Sequence, residues 1–180
     1  RGSLLWVLDK TKTAMGARLL RSFVEQPLID AEEINERLDG ITELNLQAML
    51  RDEIREYLNP VYDLERLVSR ISYRSATPRD MISFKTSLSM LPHIKNLLKE
   101  FTSPLIRGID EDLDDLSDLC DLVERAVAED PPLTVREGGI IRDGYNEMGD
   151  GYRKSKTEGK TWLALLEAEE REKTGIKTLR

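Results

Sequence analysis

The stretch from Thr77 to Phe101 reads TPRDMISFKTSLSMLPHIKNLLKEF. Thr77 is a good N-cap residue and Pro78 suits the first helical position, so the pair predicts the start of a helix. Pro92 is expected to kink or restart that helix. Apolar residues recur three or four positions apart, as on the buried face of a helix. These positions are Met81, Phe84, Leu88, Leu91, Ile94, Leu97, Leu98 and Phe101.

The same spacing extends outward and predicts helices along most of the chain. Ser3, Thr13 and Asp30 each precede an apolar periodic run, and Glu33 can complete a capping box with Asp30. Gly40 lies within one run and costs about 1 kcal/mol against Ala, which indicates close packing there. The expected inward positions are Leu4, Leu5, Val7, Leu8; Leu19, Leu20, Phe23, Val24; Ile34, Leu38, Ile41, Leu44; Leu46, Met49, Leu50, Ile54; and Leu64, Leu67, Val68, Ile71.

Three later segments carry distinct predictions. One continuous helix is expected through an apolar seam spaced 3, 4, 3 and 4, made of Leu113, Leu116, Cys120, Val123 and Val127. Glycines and β-branched residues between 133 and 143 predict a short strand or β-hairpin. A final helix is expected from about Glu158 to Thr174, with Gly175 ending it and Trp162, Leu165 and Leu166 on one face.

Composition narrows the class of protein. The 180 residues are 39% hydrophobic and 34% charged, with only 6% aromatic, which favours aliphatic packing between solvated helices. The net charge of −7 argues against a basic nucleic-acid module. One cysteine, Cys120, excludes an internal disulfide and fits a reducing cytosol. We expect no membrane span and no signal peptide, and both ends read as cut from a longer protein.

One short run resembles the end of a phosphate-binding loop. Gly159-Lys160-Thr161 has the right final residues, but the glycine required five positions before the Gly-Lys pair is Lys154. A preceding hydrophobic strand is also missing. The run is therefore interpreted as part of a surface helix.

An acidic triplet has the spacing of a calcium loop. Asp110, Asp112 and Asp114 occupy positions 1, 3 and 5, but the required glycine is Asp115 and the twelfth residue is Asp121 instead of Glu. The triplet is interpreted as an acidic first turn of a helix.

Neither His93 nor Cys120 predicts a reactive centre. His93 is the only histidine, so a Cys/His zinc site and a Ser-His-Asp triad lack partners. Cys120 lies on the apolar seam, where a thiol behaves as a small hydrophobe. The sequence therefore predicts no catalytic, cofactor-binding or metal-binding residue in this chain.

Charge is unevenly distributed along the chain. Residues 110–130 hold ten acidic residues against Arg125, whereas residues 153–180 hold eight basic and five acidic residues. The acidic stretch could meet a basic partner and the basic end could lie near phosphates. For each stretch taken alone, a solvated helix face is the simpler interpretation.

Several blocks together resemble the central region of MutS proteins. Leu8 to Arg21, Gln26-Pro27-Leu28 and Ile34 to Asp39 resemble the family pattern "LD.T.T.MG.R.LR…PL.D…I..RLD". Further matches are Asp63-Leu64-Glu65-Arg66-Leu67, Pro78-Arg79-Asp80-Met81, Gly138 to Tyr145 and Glu170 to Ile176. One stretch departs from the family: Met148 to Tyr152 is glycine-rich where an acidic helix is usual, so the resemblance does not fix where the last helix starts.

The resemblance implies an all-α fold, with a multi-helical core domain, a long protruding lever helix and at most a short β-hairpin near 133–143. It implies a core (lever) domain over residues 1–155 and a lever helix over 156–180 leading to a clamp domain that is absent here. The residues that matter would be packing residues, namely Leu19, Leu20, Phe23, Leu38, Leu67, Leu113, Leu116 and Trp162.

The resemblance also implies a function for the parent protein. That parent would be a bacterial, cytoplasmic DNA mismatch-repair ATPase that uses ATP and Mg. It would bind mismatched double-stranded DNA, form a homodimer and bind a MutL-type partner. This chain would couple DNA binding to the ATPase domain without being an enzyme and without a cofactor of its own. The alternatives are a MutS-like paralogue acting on recombination intermediates or ribosomes, or an unrelated helical scaffold that binds a partner through residues 110–130.

Overall fold

A computed structural model describes residues 2–175 of the chain, and helices dominate it. The α-helices are α1 (Leu4–Leu8), α2 (Ala14–Glu25), α3 (Ala31–Leu46), α4 (Ala48–Leu58), α5 (Leu64–Ser72), α6 (Pro78–Leu88), α7 (Leu91–Leu98), α8 (Pro104–Asp112), α9 (Ser117–Ala126) and α10 (Glu147–Thr174). A short 3-10 helix spans Val135–Glu137. The all-α prediction is confirmed.

The chain divides into two compact units, one ending at Ile140 and the other beginning at Ile141. The first unit contains α1 to α9 and the second contains α10. The assignment of residues 1–155 and 156–180 to a core and a lever stays a prediction.

The first unit is built around two apolar clusters. α5, α6, α9 and the residue that follows α9 supply the first cluster, whose buried members are Leu67, Phe84, Leu88, Val123 and Val127. α7, the loop after it and α8 supply the buried members of the second, Ile94, Leu98, Phe101 and Ile106, while α3 and α4 pack against them. Since α6 and α7 are consecutive, the stretch from Thr77 to Phe101 joins the two clusters.

The predicted helix boundaries in that stretch are confirmed. Thr77 accepts a hydrogen bond from the Asp80 backbone N–H at 3.2 Å, and the Asp80 carboxylate accepts from the Thr77 backbone N–H at 2.8 Å. α6 ends at Leu88 and α7 begins at Leu91, so Pro92 lies in the first turn of a new helix, where its missing N–H costs nothing.

The predicted continuous helix through the 113–127 seam is wrong. α8 ends at Asp112, and Leu116 has a left-handed backbone with φ of 49° before α9 begins. The carboxylates of Asp114 and Asp115 accept from the N–H groups of Leu116 and Ser117, two positions on, at 3.0 and 3.2 Å. Such local bonds compete with helical ones. Leu113 consequently packs on the second cluster and Leu116 on the first.

Two further boundaries differ from the sequence predictions. Leu46 ends α3 instead of opening the next helix, because the backbone turns at Gln47 (φ −98°, ψ 57°). α10 begins at Glu147, well before Glu158, because the Asn146 side chain accepts from the Gly149 N–H at 2.8 Å and so caps the helix.

The segment predicted as a strand or hairpin forms a turn instead. Thr134 and Glu137 make a capping box around the 3-10 helix, and Gly138 and Gly139 follow with φ of 76° and 71°. Glycine favours this left-handed region, which interrupts an extended strand. The Ala128 N–H still donates to the Ile140 carbonyl at 2.8 Å.

Candidate functional site

Polar contacts that join helices are the most specific features of the first unit. Glu43 on α3 accepts hydrogen bonds from the backbone N–H and hydroxyl of Thr102, at 2.7 and 2.8 Å, and from the Ser103 N–H at 2.8 Å. These bonds, the Ser103 N–H foremost, lower the pKa of Glu43 to about 2 from its ordinary 4.5. The carboxylate is therefore charged at neutral pH and holds α3 against the start of α8.

Arg18 forms the corresponding link between α2 and α5. Its Nη1 and Nη2 donate to both oxygens of Asp63 at 2.8 Å, and its Nε donates to Glu65 at 3.1 Å. Asp63 is the N-cap of α5, so Arg18 binds the N-terminal end of that helix. The Arg18 guanidinium lowers the pKa of Asp63, and hydrogen bonds to the two carboxylates raise the pKa of Arg18.

A third link joins α5 to α6. Arg70 Nη1 donates to both oxygens of Asp80 at 2.8 and 2.9 Å, while Asp80 also accepts from Thr77. Burial opposes ionisation of Asp80, but the bonds from Thr77 and Arg70 outweigh it and lower the pKa of this carboxyl. The residue types of Thr77 and Pro78 predicted the cap, but nothing predicted the contact with Arg70, because a partner ten positions away leaves no local signal.

The eight predicted packing residues occupy very different environments. Leu67 is buried in the first cluster, and Leu113 and Leu116 are partly buried beside the clusters. Leu20 is half-buried. The other four are exposed: Leu19 by 55%, Phe23 by 38%, Leu38 by 52% and Trp162 by 62%. These four are therefore not buried within residues 2–175, and their importance in a larger assembly stays a prediction.

The two partial ligand motifs lie wholly or partly on helical backbone. Gly159-Lys160-Thr161 falls inside α10, where the Thr161 hydroxyl donates to the Thr157 carbonyl at 3.0 Å. A phosphate cradle needs a loop of free N–H groups, which a helix interior does not offer. Asp110 and Asp112 lie in the last turn of α8 and Asp114 lies in the loop after it, so the prediction of an acidic first helical turn is wrong. Within residues 2–175, no three His, Cys, Asp or Glu side chains are grouped to hold a metal ion.

The contacts of His93 and the environment of Cys120 indicate structural roles for both residues. The His93 ring stacks on Tyr57, with centroids 4.9 Å apart and planes 6° from parallel, and joins α7 to α4. Burial, followed by the nearby Asp121, raises the pKa of the Cys120 thiol. A raised pKa keeps the thiol protonated and unreactive near neutral pH.

The second unit presents one long helix with exposed apolar side chains. Asn146 caps its start and Gly175, with φ of 70°, ends it in the left-handed region that glycine favours. Trp162, Leu163 and Leu165 are more than half exposed. No helix within residues 2–175 is both long and apolar enough to cross a membrane.

Comparison with known proteins identifies the family. The pattern of MutS domain III matches residues 1–180. Proteins named DNA mismatch repair protein MutS are similar over the whole chain: 62% identity for that of Lachnoclostridium phytofermentans, 56% for Caldanaerobacter subterraneus and 50% for Ruminiclostridium cellulolyticum. The chain spans 19% of the first relative and 21% of the other two.

The resemblance predicted from the N-terminal blocks is thereby confirmed. A full-length match to one family and at least 50% identity to these relatives agree with the all-α architecture of the described residues. The chain belongs to the MutS domain III family.

Proposed function

We propose that this chain is the coupling segment of a DNA mismatch-repair ATPase. It transmits movement between a DNA-binding clamp and a nucleotide site elsewhere in the parent protein. The observation that carries the proposal is α10, a 28-residue helix capped at both ends. At 1.5 Å per residue such a helix spans about 42 Å. A rod of that length can carry a displacement between distant sites.

The links within the first unit supply the other requirement for coupling, a support that moves as one body. Glu43, Arg18 and Arg70 each join two helices through at least two hydrogen bonds. Bidentate, charge-assisted bonds fix orientation as well as distance. The support would therefore resist local deformation when the parent protein changes state.

The parent's partners belong to the same proposal. The relatives are named for mismatch repair, which favours mismatched DNA as the ligand over recombination intermediates or ribosomes. The parent would hydrolyse ATP with Mg, act as a homodimer and bind a MutL-type protein. This chain would contribute no reacting group, because Lys160, the one candidate for a phosphate-binding lysine, lies within a helix.

The test uses the full-length parent protein with Thr161→Pro, which breaks α10 near its middle, and Thr161→Ala as the matched control. We expect Thr161→Pro to abolish the stimulation of ATP turnover by mismatched DNA while basal turnover without DNA is retained. Wild-type stimulation in the Thr161→Pro protein would contradict the proposal. For the chain itself, ATP turnover that Lys160→Ala abolishes would contradict its non-catalytic role.

A further inference from the structure

Polar contacts join the start of α10 to the segment that precedes it. The Arg153 guanidinium donates from Nη1 to the Ile141 carbonyl at 2.9 Å, and its Nη2 forms an ion pair with Asp143 at 3.3 Å. The same Nη2 donates to the Asp150 carboxylate, three positions earlier in the helix. One side chain in the second turn of α10 therefore reaches back twelve positions, to Ile141.

Asp150 adds a second attachment to the same segment. Its carboxylate accepts from the Gly144 backbone N–H at 2.9 Å as well as from Arg153. The bond from Arg153, followed by the bond from Gly144, lowers the pKa of Asp150, so this carboxyl is charged near neutral pH. Charge-assisted bonds that act in pairs fix orientation as well as distance.

The backbone around the start of α10 needs such support. Gly149 and Gly151 lie in its first two turns, and glycine favours a helix less than alanine does. Gly144 has a left-handed backbone, with φ of 85°, shortly before the helix begins. The cap bond from the Gly149 N–H to Asn146 lies within residues 146–149, so it cannot hold the residues before Gly144. Arg153 and Asp150 supply that link.

We propose that Arg153 is a positioning residue that fixes the direction of α10 relative to residues 141–144, so that a displacement of the helix reaches the chain before it. This inference rests on the proposed coupling function. Two attachment points one turn apart, at Asp150 and Arg153, fix the direction of a helix, whereas a cap alone leaves it free to pivot. Without Arg153, movement of α10 would be absorbed by rotation of the backbone at Gly144.

The geometry of this link requires an arginine. A guanidinium carries its donors on a planar fork, whereas lysine has one ammonium group on a flexible stem. Arg153 uses Nη1 for the Ile141 carbonyl and Nη2 for the carboxylates of Asp143 and Asp150. A lysine at position 153 keeps the charge but lacks the second donor nitrogen that holds Ile141. Arg153→Lys therefore separates the positioning of the helix from simple charge attraction.

Hydrogen–deuterium exchange of the 180-residue chain tests the link itself. Arg153→Met should speed exchange of the amides of residues 147–153 about fivefold, as expected for partly exposed ion pairs, while the amides of residues 160–170 do not change. Lys154→Met is the matched control, because Lys154 is exposed and pairs with Glu158 inside the helix. Unchanged exchange of residues 147–153 in Arg153→Met would overturn the proposal.

The role in coupling is tested in the full-length parent protein with Arg153→Lys and Arg153→Met. We expect both variants to reduce the stimulation of ATP turnover by mismatched DNA several-fold, while basal turnover and the thermal midpoint of unfolding stay at wild-type values. Lys154→Met should keep full stimulation. A role in stability alone would instead lower the thermal midpoint and basal turnover together, and that result would overturn the proposal.

Comparison with Thr161→Pro distinguishes this inference from the coupling function on which it rests. Loss of stimulation in Thr161→Pro and in both Arg153 variants supports the two together. Loss in Thr161→Pro alone leaves the coupling function in place and overturns the role of Arg153. Wild-type stimulation in Thr161→Pro overturns coupling through α10, and with it the role of Arg153, whatever the Arg153 variants do.

Discussion

Glu43 and Ser103 lie 60 positions apart, and a 2.8 Å hydrogen bond from the Ser103 backbone N–H to the Glu43 carboxylate closes the junction between α3 and α8. The Ser103 side chain makes no capping bond of its own. Glu43 therefore supplies from another helix what an N-cap residue usually supplies locally. Because Ser103 is buried, losing this acceptor would leave a buried N–H group unpaired.

Replacing Glu43 by Gln should lower the thermal midpoint of unfolding, because an amide NH2 would face the Ser103 N–H with a donor. Glu36→Gln, an exposed change on the same helix, is the matched control and should have little effect. The pKa of Glu43 is about 2 in the folded chain against an ordinary 4.5. A lowered folded pKa gives stability that is present above pH 4.5 and is lost as the pH falls towards 2.

The pH dependence is therefore part of the same prediction. Thermal melts followed by circular dichroism from pH 7 to pH 3 should show the wild type losing more stability than Glu43→Gln below about pH 4.5. Equal pH dependence in the two proteins would contradict the assigned role of Glu43.

Gly40 should tolerate alanine but not leucine. A Cβ built at Gly40 meets Leu105 Cδ2 at 3.4 Å, which is an ordinary contact. Alanine should therefore stabilise α3 by up to about 1 kcal/mol. Leucine would overfill the α3–α8 contact at a cost of about 1–3 kcal/mol. Urea unfolding measures both, and Gly151→Leu, at a helical glycine with no atom within 4 Å of its Cβ position, is the control. Destabilisation by Gly40→Ala would show that the contact is tighter.

Leu67 and Leu19 were predicted to pack alike, but only Leu67 is buried in this chain. Leu67→Ala should destabilise the chain by about 2–5 kcal/mol, as truncations in a packed core do. Leu19→Ala should change stability by about 0.5 kcal/mol or less. Denaturant unfolding of the two variants provides the comparison, and a large effect at Leu19 would mean that α2 is covered in solution.

Arg18 should control the docking of α2 without setting global stability. Arg18→Met removes the bonds to Asp63 and Glu65, so the amides of α2 should exchange faster with deuterium while those of α6 do not change. Arg21→Met is the control, since Arg21 pairs with Glu25 inside the same helix. Unchanged protection of α2 in Arg18→Met would indicate that apolar contacts alone dock it.

Local signals in the sequence predicted the helix starts well. Thr77, Asp30 and Asn146 all accept backbone N–H bonds at helix starts, but only the first two were expected, because the glycines after Asn146 obscured its helix. Repeated apolar spacing also predicted a helix across Leu113 to Val127. Spacing alone could not reveal the two aspartate turns that break it.

The polar contacts between helices could not be predicted from local sequence patterns. Arg18 and Asp63 are 45 positions apart, and Lys85 pairs with Glu124 across 39. Surface charge patterns do not specify which distant partner a side chain will reach. Likewise, the apolar spacing on α2 and α3 predicted an inward face, whereas the fold leaves Leu19 and Leu38 in solvent.

The proposed coupling requires α10 to be one rigid rod across Gly159, and a single distance along the helix measures that rigidity. Spin labels at Lys154→Cys and Lys173→Cys, in a Cys120→Ser chain diluted with unlabelled protein, are 19 positions apart along one continuous helix. Electron–electron resonance should give one narrow distribution centred near about 29 Å between the backbone positions. A broad or markedly shorter distribution would show a bent or frayed helix, which could not carry the proposed displacement.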